Sequence, residues 1–193
     1  MNHLRPWPLN GEIWGVWCVY WVVAAYFTSA AKTREGLGGQ IAYTVLLLGG
    51  FFLLFHDRDK ALIFGRLYQS PIVEWFGLGI TIAGLAFSVW ARVHLGKYWS
   101  GVITLKEGHR LIRTGPYGMV RHPIYTGLIL AAIGSAIANG SGDALLSLIP
   151  IVAGLGIKIV REERLLAGQF GEEYAQYRRQ VPALVPRPGK SGH

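Results

Sequence analysis

The sequence predicts an all-α protein, a polytopic bundle of about five membrane-spanning helices. The 193-residue chain is 51% hydrophobic and only 16% charged, whereas soluble domains carry about 25% charged residues. Its apolar residues fall in blocks close to the roughly 20 residues that a helix needs to cross a bilayer. The period-2 alternation of a membrane barrel is absent, and in lipid only helices or closed barrels satisfy the backbone.

Five apolar blocks define the expected spans of a single membrane domain over residues 1–193. The first two blocks belong to an N-terminal two-helix scaffold over residues 1–70, in which no residue spacing suggests chemistry. The third block is expected to extend back towards Pro71, and the fifth to continue through Val160. The blocks cover residues 13–31, 36–55, 75–91, 123–142 and 144–157.

The distribution of charge predicts the side of the membrane on which each loop lies. With the N-terminus outside, fifteen of the nineteen Lys and Arg residues fall on the inner side. This asymmetry follows the positive-inside rule and accounts for the net charge of +8. We therefore expect anionic membrane lipid, and no nucleic acid, as a partner of the basic surface. The short chain and compact loops favour a multi-pass protein of a prokaryotic inner membrane, with its site on the cytoplasmic side.

The stretch 115–127 places polar and aromatic residues where a basic loop meets the fourth apolar block. Pro123 suits the first turn of a helix, because the N–H that it lacks would be unpaired there, and this puts His122 near the N-cap. Free N–H groups at a helix N-terminus can bind a carboxylate or a hydroxyl group. By chemistry alone, a simple helix start and a ligand site explain this stretch equally well.

A second polar constellation lies where the fifth block continues beyond the membrane. Lys158, Arg161 and Glu162 are spaced i, i+3, i+4 and share one helical face. An ionisable residue close to a bilayer is costly and therefore a functional candidate, although snorkelling of Lys158 explains it equally well. The helix breakers at 139–143 predict an antiparallel hairpin of the last two spans. That hairpin would bring His122 and Glu162 to the same end of adjacent helices.

Other chemistries find little support in the sequence. His94, His109 and His122 do not have zinc-ligand spacing, and no Cys, Asp or Glu completes a set, so no metal is expected. No glycine-rich phosphate loop follows a strand, and no serine sits in a nucleophile elbow. The single cysteine, Cys18, lies in the first block and cannot form an intramolecular disulfide.

A series of motifs follows in order along the second half of the chain. It begins with 109–117 (HRLIRTGPY) and 121–127 (RHPIYTG), and continues with 162–163 (EE), 170–177 (FGEEYAQY) and 181–182 (VP). In order and spacing the series resembles the isoprenylcysteine carboxyl methyltransferase family, to which phospholipid methyltransferases are related. The resemblance covers roughly residues 90–188, the methyltransferase motif region, whereas the first two spans carry no motif.

The resemblance implies an integral membrane methyltransferase that uses S-adenosylmethionine and acts on a lipophilic or lipidated acceptor. Its leading expectation is carboxyl O-methylation of an isoprenylcysteine-like substrate, with a cofactor-binding loop and a C-terminal helix on the inner face. It gives no catalytic residue and no oligomeric state. By position, the residues that it implies for cofactor binding are His109, Arg110, Leu111, Ile112, Tyr117, His122, Pro123, Ile124, Tyr125 and Glu162.

The chain departs from the family pattern at two positions, and this leaves the acceptor open. A substrate-contacting arginine of the family falls on Lys158, and a family glutamine falls near Val102. Lysine keeps the charge but lacks the fork with which arginine grips a carboxylate. We expect Lys158 and Arg161 to orient an anionic acceptor. The alternatives are a phospholipid amine or small thiol as acceptor, an NADPH-binding protein similar to membrane sterol reductases, and a non-enzymatic scaffold or transporter component.

Overall fold

A computed structural model describes residues 6–26, 31–34, 37–60, 62–96, 104–106 and 111–187. Within these ranges the chain forms eight helices and one two-stranded ribbon, and the predicted helical bundle is confirmed. In chain order the elements are α1 (Pro6–Ala25), β1 (Ala31–Arg34), α2 (Leu37–Phe55), α3 (Pro71–Leu95), β2 (Thr104–Lys106), α4 (Pro116–Met119), α5 (Pro123–Asn139), α6 (Gly142–Leu146), α7 (Leu148–Phe170) and α8 (Glu172–Gln180).

The ribbon of β1 and β2 is a feature that the sequence patterns did not predict. The strands are antiparallel, and Ala31 pairs with Lys106 while Arg34 pairs with Thr104. Because β1 follows α1 and β2 follows α3, the C-terminal ends of these helices lie at the same end of the bundle. The first expected span, 13–31, is corrected accordingly, since the backbone at Ala31 pairs with a strand instead of continuing a helix.

The ends of the other expected spans follow from local sequence. The third helix does begin at Pro71, with proline in its first turn. The fourth ends at Asn139, short of residue 142, because Gly140 has a φ of 73° and stops the helix in the left-handed region. The fifth block is divided into α6 and α7 at Ser147. Its second part continues well past Val160, as expected.

The described residues contain two helical stretches that are long and apolar enough to cross a membrane. They are Pro71–Leu95 and the nearly continuous Gly142–Phe170. Two shorter apolar helices accompany them, at Gln40–Phe55 and Pro123–Asn139. The figure of about five spans stays a prediction.

Glycines set which helices pack most closely. A Cβ on Gly127 of α5 would lie 2.5 Å from the carbonyl oxygen of Gly84 on α3, so their backbones touch. A Cβ on Gly50 of α2 would lie 2.5 Å from Ile151 Cγ1 on α7. Thus α5 packs mainly against α3, and α7 mainly against α2. Helices α5 and α7 also contact each other, and the expected hairpin brings His122 next to Glu162 and Glu163.

The connection between α5 and α7 closes the end of the bundle opposite the polar loop. The Asp143 carboxylate accepts hydrogen bonds from the backbone N–H groups of Leu62 and Phe64, each at 2.8 Å. Near the start of α3, Glu74 forms a buried ion pair with Arg58 at 3.1 Å. From this end the buried core runs between the helices to Tyr125, so the candidate site lies at the other end.

Candidate functional site

His122 is buried between two carboxylates at the start of α5. It is the N-cap residue of that helix, and 4% of its side chain is exposed. Its Nε2 lies 3.2 Å from Glu163 Oε1, and its Nδ1 lies 3.6 Å from Glu162 Oε2. Both glutamates belong to α7, so the structure brings the two polar constellations together at one end of the bundle.

The two glutamates hold His122 in its charged form. Burial lowers the pKa of His122, but the hydrogen bonds and negative charges of Glu162 and Glu163 outweigh burial and raise the pKa above its ordinary value. An imidazole that faces a carboxylate at each nitrogen is satisfied when both nitrogens carry protons. His122 therefore links α5 to α7 through two carboxylates that favour its protonated form.

Arg121 ties Glu163 to the C-terminal segment. Its Nη2 and Nε lie 2.6 and 3.0 Å from Glu163 Oε1, and the pair is largely buried. Its Nη1 donates to the carbonyl oxygens of Val181 and Arg178. One guanidinium thus connects the start of α5, the C-terminal part of α7 and the end of α8.

Residues 181–184 form a strap along the start of α5. The backbone N–H of Arg121 donates to the Pro182 carbonyl at 2.8 Å, and that of His122 donates to Ala183 at 3.0 Å. The Thr126 hydroxyl donates to the Leu184 carbonyl at 2.8 Å. The His122 N–H at the start of α5 is therefore hydrogen-bonded to the strap and is not available to a ligand.

Tyr117 forms the wall of the site on the side of the polar loop. Its ring stacks against His94, with centroids 6.4 Å apart, and its carbonyl accepts a hydrogen bond from the Tyr177 hydroxyl at 2.7 Å. Gly115 allows this approach, because its φ is 58° and a Cβ there would lie 2.7 Å from the His94 ring. Burial raises the pKa of the Tyr117 phenol, which therefore stays neutral.

Tyr125 joins His122 to Lys158. Its ring stacks on the imidazole of His122 at 5.8 Å, with the planes 15° apart. The Lys158 Nζ lies 5.7 Å from the Tyr125 ring centroid and 5.4 Å from that of Tyr43 on α2. Tyr43 gave no sequence signal, because a single tyrosine in an apolar block has no informative spacing.

The structure brings together most of the described residues that the sequence predicted for the site. Pro123 and Ile124 are buried next to His122 in the chain, and Ile112 packs against the core cluster that contains Tyr117. Leu111 and Arg161 are half-buried. His109 and Arg110 lie outside the described residues, as does position 102. In the part of the chain that the structure describes, no three His, Cys, Asp or Glu side chains group as metal ligands.

The fold and the site define a helical membrane-type bundle with a buried polar site between α5, α7 and the C-terminal strap. Residues 77–168 match the isoprenylcysteine carboxyl methyltransferase family. This matching segment contains His122, Tyr125, Lys158 and Glu162, so the likeness to that family includes the residues that meet at the site.

The chain is also similar in sequence to individual methyltransferases. The chain is 29% identical over 171 residues to a "Probable protein-S-isoprenylcysteine O-methyltransferase" of Oryza sativa subsp. indica, covering 86% of this chain and 87% of the relative. It is 28% identical over 153 residues to "Methanethiol S-methyltransferase 1" of Bradyrhizobium diazoefficiens, covering 70% of this chain and 53% of the relative.

The fold is similar to that of a solved structure, the eukaryotic intramembrane Ras methyltransferase, an isoprenylcysteine carboxyl methyltransferase. The TM-score is 0.57 at 20% sequence identity, and the match covers 80% of this chain. The chain spans about half the length of that protein, 54%. At this identity the likeness concerns the fold.

Proposed function

We propose that this protein is a multi-pass integral membrane methyltransferase that takes its methyl group from S-adenosylmethionine. Its acceptor is a lipophilic molecule, and the leading candidate is the carboxylate of an isoprenylcysteine-like or lipidated substrate. The observation that carries the proposal is the position of the family segment. Residues 77–168 contain both walls of the site, from His122 to Glu162.

The outer faces of the helices support a place within a membrane. Large apolar side chains point outward along α1, α2 and α3, and such continuous apolar surface is rare on soluble monomers. Lipid would cover this surface, with the basic end of the bundle at the cytoplasmic side of a prokaryotic inner membrane. Examples, with their exposed fractions, are Val16 at 71%, Leu48 at 67%, Ile72 at 82% and Phe76 at 66%.

The residues of the site fit the chemistry of the methyl donor. Glu162 is a carboxylate with one third of its side chain exposed, so it can accept a hydrogen bond from an ammonium or a ribose hydroxyl. The neutral rings of Tyr117 and Tyr125 offer faces that attract a sulfonium cation. When bound, the donor supplies an electrophilic methyl group, and the chain itself needs no metal for this transfer.

The chain's own residues would align the acceptor and exclude water. A carboxylate acceptor has no proton to lose, so it needs no general base in the site. Its oxygen would take the methyl group directly from a donor held at Glu162, Tyr117 and Tyr125, and the donor would leave with the electron pair of the broken bond. Lys158 and Arg161 would orient the negatively charged acceptor, and alignment in a water-poor pocket supplies much of the rate.

A small thiol is the second candidate acceptor. The likeness to a methanethiol S-methyltransferase favours it, and Lys158 in place of a forked arginine is compatible with an acceptor that has no carboxylate. A thiol reacts as its thiolate, which a neighbouring ammonium would stabilise. The phospholipid amine has no comparable support, because it would have to lose a proton.

Calorimetry in detergent with S-adenosylhomocysteine tests the class of protein. Binding in the micromolar range is expected for a methyltransferase. No binding at high micromolar concentration would remove that class, and binding of NADPH instead would favour a reductase-like protein.

A panel of acceptors with labelled methyl donor tests the substrate. Prenylcysteine analogues, small thiols and phospholipid amines would be compared on the purified protein. Lys158→Met should reduce turnover of an anionic acceptor more than it weakens S-adenosylhomocysteine binding. An unchanged rate would remove the orienting role of Lys158.

A further inference from the structure

The Lys158 side chain lies between two tyrosine rings that come from opposite halves of the chain. Its Nζ is 5.4 Å from the centroid of Tyr43 on α2 and 5.7 Å from that of Tyr125 on α5. A cation within about 6 Å of a ring centroid is attracted by the negative face of the ring. Both rings are buried, with 6% of Tyr43 and 9% of Tyr125 exposed, so water weakens the attraction little.

The close approach of α2 and α7 puts Tyr43 in this position. A Cβ on Gly154 would lie 3.1 Å from Leu47 Cγ and 3.2 Å from the Tyr43 carbonyl oxygen. Gly154 is one helical turn before Lys158, so the two residues lie on the same face of α7. The absence of a side chain at Gly154 therefore lets the backbone of α2 bring Tyr43 onto Lys158.

We propose that Tyr43 is a positioning residue of the site, which acts by holding the Lys158 ammonium against Tyr125. A lysine has a flexible four-carbon stem and would otherwise extend towards water. The two rings hold the ammonium near Tyr125, whose ring also stacks on the imidazole of His122. The orienting role of Lys158 rests on the proposed function, whereas its restraint by Tyr43 does not.

Helix α2 of the N-terminal half therefore contributes a side chain to the site. No motif of the second half of the chain contains Tyr43, and the family segment 77–168 does not include it. Tyr43 can contribute in this way because the Lys158 ammonium faces two rings at once.

Labelling of lysine amines tests the restraint without any enzyme assay. The purified protein in detergent is treated with a trace of acetic anhydride, and the rate at Lys158 is measured by mass spectrometry relative to Lys60, which is 80% exposed. Tyr43→Leu removes the ring and should speed labelling of Lys158 by about threefold to thirtyfold. Tyr43→Phe keeps the ring and should retain the protection.

Phe52→Leu is the matched control, because it removes an exposed ring from the same helix. It should leave the rate at Lys158 unchanged. Equal rates in the wild type and Tyr43→Leu, or no labelling of Lys158 in Tyr43→Leu, would overturn the proposal. Unfolding midpoints of all variants establish that the compared proteins are folded, and Tyr43→Trp provides a second ring-retaining variant.

A double-mutant cycle on turnover then tests the consequence for the reaction. Tyr43→Leu should lower kcat by about threefold to tenfold, with S-adenosylhomocysteine affinity changed by less than about twofold. In a Lys158→Met background the same change should have little further effect, because Tyr43 acts through Lys158. If the fold-losses in kcat of Tyr43→Leu and Lys158→Met simply multiplied in the double mutant, the action of Tyr43 through Lys158 would be refuted. Absence of S-adenosylhomocysteine binding by the wild type would instead refute the methyltransferase, and the labelling result would stand.

Discussion

The Arg121 guanidinium and the Glu163 carboxylate form a largely buried pair, with Nη2 and Nε at 2.6 and 3.0 Å from the same oxygen, Oε1. Glu163 Oε1 also lies 3.2 Å from His122 Nε2. One carboxylate oxygen is therefore shared by two consecutive residues of the loop that begins α5. This pair fixes His122, whose other nitrogen, Nδ1, faces the neighbouring carboxylate of Glu162 at 3.6 Å.

Glu163→Gln should destabilise the protein markedly. The amide keeps the shape but loses the charge, and Arg121 and His122 would then be buried cations without their shared anion. We expect a loss of about 2–4 kcal/mol in the free energy of unfolding, measured by unfolding in detergent. Glu172→Gln is the control, because Glu172 and its partner Arg179 are 70% and 64% exposed; it should cost less than about 1 kcal/mol. Equal losses would contradict the role given to Glu163.

Tyr177→Phe should weaken S-adenosylhomocysteine binding with a small loss of stability. The change removes the hydroxyl that donates to the Tyr117 carbonyl at 2.7 Å, and it leaves a buried acceptor unpaired at a cost of about 1–3 kcal/mol. Because Tyr117 forms one wall of the site, calorimetry should show an affinity lower by about fivefold or more. Tyr26→Phe alters a residue that is 84% exposed and should leave the affinity unchanged. If Tyr177→Phe bound S-adenosylhomocysteine as tightly as the wild type, the contact of α8 with Tyr117 would have no role in binding.

Gly127→Ala should disrupt the packing of α3 on α5. The new Cβ would lie 2.5 Å from the Gly84 carbonyl oxygen and 2.8 Å from the Ser88 nitrogen, and neither backbone atom can move without its helix. We expect a loss of about 1–3 kcal/mol, as for overpacked cores. Gly79→Ala is the control on the neighbouring helix, since a Cβ there meets nothing within 4 Å; it should stabilise by about 0.5–1 kcal/mol. If both variants unfolded alike, the close crossing of α3 and α5 would be refuted.

The raised pKa of His122 predicts a pH-dependent contribution to stability. Because the folded-state pKa lies above the ordinary value of 6.5, the folded protein binds this proton more tightly than the unfolded chain. The stabilisation is fully present below pH 6.5 and is lost as the pH rises through the raised folded-state value. The difference in unfolding midpoint between the wild type and His122→Gln should therefore shrink as the pH rises above 6.5. A constant difference would mean that His122 is held in one protonation state throughout.

The sequence by itself determined the helical class and the two polar constellations. Apolar block length requires helices in lipid, and Pro123, Gly140 and the 121–127 motif fix where α5 begins and ends from local backbone preferences. The spacing of Lys158 and Glu162 likewise needs only the period of a helix. These features are local, so neighbouring residues in the chain are enough to predict them.

The tertiary structure alone decided which residues meet across the site. The pairing of β1 with β2, the strap at 181–184 and the approach of Tyr43 to Lys158 each join segments far apart in sequence. The approach of Tyr43 depends on the close contact of α2 with α7 at Gly154, and α3 meets α5 in the same way at Gly84 and Gly127, where a missing side chain permits backbone contact. Local patterns mark such glycines as permissive but do not say which helix will pack against them, because that choice is made by the packing of the whole bundle.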